Sequence, residues 1–304
     1  MAPGLNFSTK EFRSMSDLKG RNKKLKYFEF TRWATQPALI FTLIFFVTPL
    51  AIMVVISFWQ RVYGKLVASW SGANYIKFFG TDYLLESLTN SIEVTLATTA
   101  ISILLAYPLA YILAYRIAPK WQKVILIFAV LPFWTAYVVR SYSWLLVISE
   151  NGIINYVLTH LGIIDQPLQM AYTRGATILG FVHFFTMLLT LTIYANLVQI
   201  KPSYWKAAED LGASKLQVFL RITLPLSIPG VAVGAFITFV IAIGDYITPQ
   251  ILGGSTEVLV PQAIMLQVSR AANFPMASVM SITLMLVIVV VYAITAKHLK
   301  MTRV

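Results

Sequence analysis

Lys201-Pro202-Ser203-Tyr204-Trp205-Lys206-Ala207-Ala208-Glu209-Asp210-Leu211-Gly212-Ala213-Ser214-Lys215-Leu216-Gln217-Val218-Phe219-Leu220-Arg221-Ile222-Thr223-Leu224-Pro225 is a polar, basic stretch between two long apolar runs. Its internal order predicts two helices. Ser203 is an N-cap residue type, and Tyr204 to Leu211 are all residues a helix accepts. Gly212 can adopt the left-handed conformation that ends a helix. Ser214 then caps a second helix, expected to run to Leu224 and stop before Pro225. Ala207 and Ala208 leave one side of the first helix nearly bare, so another protein's surface can come close to the backbone.

The flanking runs make this a membrane protein. Of 304 residues, 58% are apolar, 12% are charged and none is cysteine, whereas soluble domains carry about 25% charged residues. A helix crosses a bilayer with about 20 apolar residues. Six stretches qualify, near 38–60, 88–115, 122–149, 175–199, 226–251 and 275–296. The expected fold class is therefore an all-α membrane protein of six transmembrane helices. A basic N-terminal arm (1–36) precedes the transmembrane domain (37–304), which includes the cytoplasmic loop 201–225 and an outer loop 150–174. The arm is polar, has no apolar core of its own, and so is not a secretory signal peptide.

Charge sets the orientation. With the N-terminus inside, eighteen Lys and Arg fall in cytoplasmic segments, and five (Arg61, Lys65, Lys77, Arg174, Arg270) fall outside. That is a strong positive-inside bias. It places both termini and the 201–225 loop in the cytoplasm. The net charge of +12 reads as a topology and lipid-contact signal rather than as nucleic-acid binding.

The loop resembles a known family. Ala207-Ala208, then Gly212, then Ile222-Thr223-Leu224-Pro225 is similar to the Glu-Ala-Ala coupling loop of ABC-importer permeases. The departure is Lys206, where the family carries Glu; with Ser203 as cap, a Glu there would close a capping box. Two further stretches resemble permeases of the spermidine/putrescine group: Leu131-Pro132-Phe133-Trp134-Thr135 to Arg140-Ser141-Tyr142-Ser143-Trp144, and Gly244-Asp245-Tyr246-Ile247-Thr248-Pro249. The resemblance implies a type I importer fold in a bacterial inner membrane, with a helix around Ser203, Lys206, Ala207, Ala208, Glu209, Asp210 and Gly212 docking into a separate ATPase. It also implies a pore of two permease subunits, the other a heterologous chain, and an extracytoplasmic binding protein that delivers substrate. No phosphate-binding loop of the Gly-x4-Gly-Lys-Ser/Thr kind occurs, so ATP and Mg belong to the partner ATPase, and this chain carries no cofactor or catalytic constellation.

Three ionisable residues lie within spans: Glu93, Arg140 and Asp245. Each costs about 2.5–3.5 kcal/mol at a helix centre, so they are expected to face the bundle interior and pair. Arg140 is placed to neutralise one carboxylate and leave the other for a cation, or to tie both acids together as structural glue. Trp134, Tyr137 and Tyr246 lie nearby in sequence, and aromatic faces attract ammonium groups. A small cation such as a polyamine is the expected substrate, with another small solute such as 4-aminobutyrate as the alternative. The rival reading is an ion-coupled carrier or channel working without an ATPase; it calls for an inverted repeat, and none is found.

Smaller signals complete the reading. Aromatics at 70–83 are expected in the headgroup layer. Pro108 is expected to kink its helix. Ile154, Val157, Leu158 and Leu161 have helical spacing and mark a short helix on the outer surface, either a landing face for the binding protein or a plug at the rim. His183 is expected neutral and hydrogen-bonded. Gly230 and Gly234 allow a close helix contact, expected at the core of a dimer.

Overall fold

The computed structural model describes residues 35–131, 135–254 and 257–299. The chain forms two units, Met1–Ile56 and Ser57–Val304. Of the basic arm, only Thr35 and Gln36 are described. Helix α1 (Thr35–Ser57) follows, and none of its apolar window is buried. A π-turn at Leu43–Val47 interrupts it, two residues before Pro49. Proline has no N–H to donate and crowds the carbonyl four residues back, and the wider turn relieves both problems.

The second unit opens with an antiparallel hairpin, β1 (Gln60–Val62) and β2 (Lys65–Val67). Tyr63 and Gly64 turn it with φ of 47° and 79°, as a tight hairpin turn requires. Helices α2 (Ala73–Phe79), α3 (Asp82–Tyr115), α4 (Pro119–Val130), α5 (Tyr137–Ile148) and α6 (Ile153–His160) come next. They are followed by α7 (Arg174–Leu197) and α8 (Pro202–Asp210), then α9 (Lys215–Gly244). Short helices α10 (Ile247–Leu252) and α11 (Val260–Ser269) lead to α12 (Phe274–Leu299).

Among the described residues, five helices, α1, α3, α7, α9 and α12, are long and apolar enough to cross a membrane. The expected third span, 122–149, is divided instead between α4 and α5, of 12 residues each. Pro132 accounts for the division, because a proline ends a helix at or before the preceding residue. The fifth span also differs from expectation. The second helix of the loop does not stop before Pro225; a π-turn at Phe219–Thr223 absorbs that proline, as happens before Pro49, and the helix runs on unbroken to Gly244. Helix α3 is a single element through Pro108.

The core is α7 held between α3 and α9. Buried residues of α3 recur every three or four positions, and from Ser87 to Ser102 they are mostly Ser and Thr. Small hydroxyl side chains let membrane helices approach closely. Phe181 and Phe185 of α7 pack with Val94 of α3 and Ala242 of α9; one layer further in, Leu189, Ile193 and Leu197 pack with Ala106 and Ala110. A Cβ on Gly230 or Gly234 would collide with Asn196 or Thr192 of α7. These glycines therefore serve the packing of α9 against α7 within the chain.

The segments expected on the outer side are mixed. Trp70 and Phe79 are exposed, as the headgroup reading requires, but Phe78 is 0% exposed and sits in the core of α2, α3, α11 and α12. Helix α6 is half seated: Ile154 packs on the cluster around Ile148 and Leu252, and Ile153, Tyr156 and Leu161 stay exposed. Buried Asn155 pins the surrounding loop. Its Nδ2 donates to the carbonyls of Ser149 and Leu168, and its Oδ1 accepts from the Leu168 N–H.

Candidate functional site

The residues expected to be functional fall at two places. At the first, α8 starts two residues earlier than expected. Its N-cap is Lys201, with Pro202 in the first turn and no side-chain cap. Proline suits that position because its missing N–H has no helical partner there anyway. Ser203 is thus inside the helix, not its cap, and no capping box is lost at Lys206. The end of the helix is as expected. Gly212 has φ of 80°, its N–H donates to the Glu209 carbonyl, and the Ala213 N–H donates to the Ala208 carbonyl. Those two bonds define a Schellman stop. Ser214 caps α9 in a complete capping box with Gln217.

The two alanines do not share a bare side. Successive helical residues are about 100° apart. Trp205 and Ala208 are half-buried toward the bundle, whereas Ser203, Lys206, Ala207 and Asp210 are exposed. Glu209 and Trp205 line a cavity with the C-terminal end of α3 and the N-terminal end of α9. Trp205 packs beside Leu197 and Ile200 and stands edge-on to Tyr115 of α3. Leu211, 89% exposed at the helix end, is an apolar side chain with no cover in this chain, and the sequence reading passed over it.

At the second place, α9 stops at Gly244 and Asp245 adopts extended backbone. Its Oδ1 accepts the Ile247 N–H at 2.8 Å and its Oδ2 accepts the Thr248 hydroxyl at 2.7 Å. Asp245 therefore ends α9 and braces the turn into α10, whose N-cap residue is Tyr246. A broken helix at membrane depth leaves free backbone ends only where they line protein or water. Arg140 on α5 is 8% exposed. Its guanidinium lies 4.4 Å from the centre of the Tyr137 ring and 4.3 Å from that of Phe184. Asp245 acts electrostatically on both Arg140 and Tyr137. Tyr246 is 40% exposed beside the break. Trp134 lies outside the described residues. A cavity of about 600 Å³ opens beside Arg140, bounded by Phe128, Ser143, Trp144 and His183. His183 accepts the indole N–H of Trp144 through Nδ1 at 3.0 Å, the satisfied histidine that was expected.

Glu93 is not part of this group. It pairs with Arg174 at 2.7 Å, and Arg174 also pairs with Glu257 at 2.6 Å and donates to Asn90 Oδ1. Arg140 thus does not bridge the two expected acids. Arg174 was counted only as an outside charge, and Glu257 lies in the connection between α10 and α11, where charges are unremarkable. The signal was Glu93 itself, a carboxylate inside a span with a basic residue at the outer end of another.

Comparison with known proteins settles the class. The family of binding-protein-dependent transport system inner membrane components matches residues 106–301. The chain belongs to this family. The permease is 32% identical over 261 residues to the spermidine/putrescine transport system permease protein PotB of Haemophilus influenzae, covering 84% of this chain and 91% of that one. It is 30% identical to PotB of Escherichia coli, covering 70% and 77%. In fold it is similar to a bacterial ABC transporter involved in the import of the acidic polysaccharide alginate, with a TM-score of 0.71 at 16% identity over 91% of this chain and 99% of that one. This is a transport permease of the type I importer fold, an integral inner-membrane protein and not an enzyme. Membership sets aside the carrier working alone.

Proposed function

We propose that this permease forms half of the pathway of an importer for small cations of the polyamine class, driven by a separate ATPase that grips α8. Asp245 carries the reading: a carboxylate at a helix break, beside the aromatic rings of Tyr137 and Tyr246, suits an ammonium group. Arg140, held under Tyr137 and Phe184, offsets part of the Asp245 charge so that cargo is held and then released. The likeness to permeases named for spermidine and putrescine supports the same cargo.

The exposed face of α8, with Ala207 at its centre and Leu211 at its end, meets the ATPase. A second, heterologous permease completes the pore, both termini lie in the cytoplasm, and a soluble binding protein delivers cargo at the outer face near α6. The test is uptake of labelled spermidine and putrescine by proteoliposomes holding the complex that co-purifies with this chain. ATP-dependent uptake by wild type, lost in Asp245→Asn with the ATPase still bound, is the expected result. Uptake of an uncharged or anionic solute in place of the polyamines overturns the substrate, and purification with no ATPase overturns the coupling.

A further inference from the structure

Two spans end at one cavity. Helix α3 finishes at Tyr115 and α9 begins at Lys215. Between them and α8 lies a cavity of about 310 Å³, at the level where apolar helix gives way to polar loop. Its walls combine two kinds of group. Arg116, Lys215 and Glu209 supply charge, and Tyr111, Tyr115, Trp205 and Phe219 supply aromatic faces and edges. The rings are locked in edge-to-face contacts, Tyr111 on Tyr115 and on Phe219, and Tyr115 on Trp205. All three charged side chains belong to exposed residues, and Glu209 is ion-paired with neither Arg116 nor Lys215. The charged groups therefore remain available to a ligand.

We infer that this cavity binds an ethanolamine-phosphate group, as the headgroup of a zwitterionic phospholipid, with the phosphate at Arg116 and Lys215 and the ammonium at Glu209 and the aromatic walls. Two basic groups at a membrane boundary attract phosphate. A carboxylate in the same cavity disfavours a purely anionic headgroup but pairs with a primary ammonium, and the rings add attraction for that cation. Only a ligand carrying both signs of charge satisfies the whole wall. The inference does not depend on which solute the permease carries. Its consequence is mechanical: the headgroup would fill the space between α8 and the spans that α8 must move.

The test is native mass spectrometry of the full-length chain with its co-purifying subunits, delipidated and titrated separately with phosphatidylethanolamine and phosphatidylglycerol. Wild type is expected to prefer phosphatidylethanolamine. Glu209→Gln should weaken that binding about tenfold, the worth of one charge-assisted contact, without weakening phosphatidylglycerol. Arg116→Gln with Lys215→Gln should weaken both lipids by at least as much. Lys120→Gln, exposed and outside the cavity wall, should change neither. Free phosphoethanolamine separates the sources: no displacement of lipid assigns the cavity to the membrane, and full displacement assigns it to a soluble zwitterion. Equal binding of the two lipids by wild type, or an unchanged preference in Glu209→Gln, overturns the inference.

Discussion

The indole of Trp205 meets the ring of Tyr115 edge-on, with centroids 4.6 Å apart and planes at 84°. Trp205 lies on α8 and Tyr115 at the inner end of α3, so this contact joins the exposed helix to the longest helix of the bundle. Tyr115 is itself fixed, since its hydroxyl donates to the Leu197 carbonyl at the end of α7. A push on α8 would therefore reach α3 through this aromatic pair and α7 through the Tyr115 hydroxyl.

Trp205→Ala should uncouple hydrolysis from transport. The pair is worth about 1 kcal/mol beyond its burial, and the truncation also strips packing from Leu197 and Ile200. The expected outcome is ATP hydrolysis retained and uptake lost, with a modestly lower melting temperature. Trp205→Phe keeps the edge contact and should keep most of the uptake. Parallel ATPase and uptake measurements on one preparation check this.

At Asp245 the charge and the hydrogen bond can be separated. Asparagine keeps an oxygen for the Ile247 N–H, whereas alanine leaves that donor without its side-chain partner at a cost of about 1 kcal/mol. Asp245→Asn should therefore melt like wild type and Asp245→Ala should melt lower. Both should fail to take up the cation. Uptake by Asp245→Asn at the wild-type rate would remove the carboxylate from the pathway.

How far the residues alone could reach follows from distance along the chain. The Gly212 stop and the Ser214 cap are made by neighbours three to five residues apart, and local spacing found both; the return bond from Gln217 that completes the capping box was not read. Ser203 was misread because the proline before it starts the helix first, a competition between two valid start signals. The π-turns before Pro49 and Pro225 were missed for a related reason: proline reads as a stop until the backbone is seen to widen around it. The Arg174–Glu93 and Arg174–Glu257 pairs join residues 81 and 83 positions apart. No periodicity reports either contact; the packing of α3 against α7 makes the first, and the connection between α10 and α11 brings Glu257 to the second. The faces of α8 were derivable from its 100° steps, once the anchoring role of Trp205 was given weight.

The outer ion pairs should contribute little to stability individually. Glu93 has 63% of its side-chain surface exposed and Arg174 has 34%, so solvent screens their attraction. A double-mutant cycle with Glu93→Gln and Arg174→Gln should give a coupling energy of about 0.2–1 kcal/mol, smaller at high salt. Melting of the four proteins at two salt concentrations measures it.

Close packing of α7 and α9 gives a sharper stability prediction. Gly234→Ala places a methyl group against Thr192 and Leu189, and Gly244→Ala places one where nothing lies within 4 Å. Overpacking costs about 1–3 kcal/mol. The first variant should lose that much in detergent unfolding, and the second should be neutral or slightly stabilised, because alanine restricts the unfolded chain more than glycine does. Equal melting of the two would mean that the helices separate easily at this level.

The two alanines of α8 offer the cleanest test of which face meets the ATPase. Ala207 is exposed and Ala208 is half-buried toward the bundle, so one bulky substitution at each position asks opposite questions. Ala207→Trp should leave the fold and its melting unchanged, because nothing in this chain opposes it, yet it should abolish co-purification of the ATPase by blocking close approach. Ala208→Trp should wedge α8 away from α3 and α9, lowering the melting temperature by the overpacking cost above. If Ala207→Trp retains the ATPase and ATP-driven uptake, the partner docks elsewhere, and the exposed face of α8 with Leu211 at its end needs another occupant.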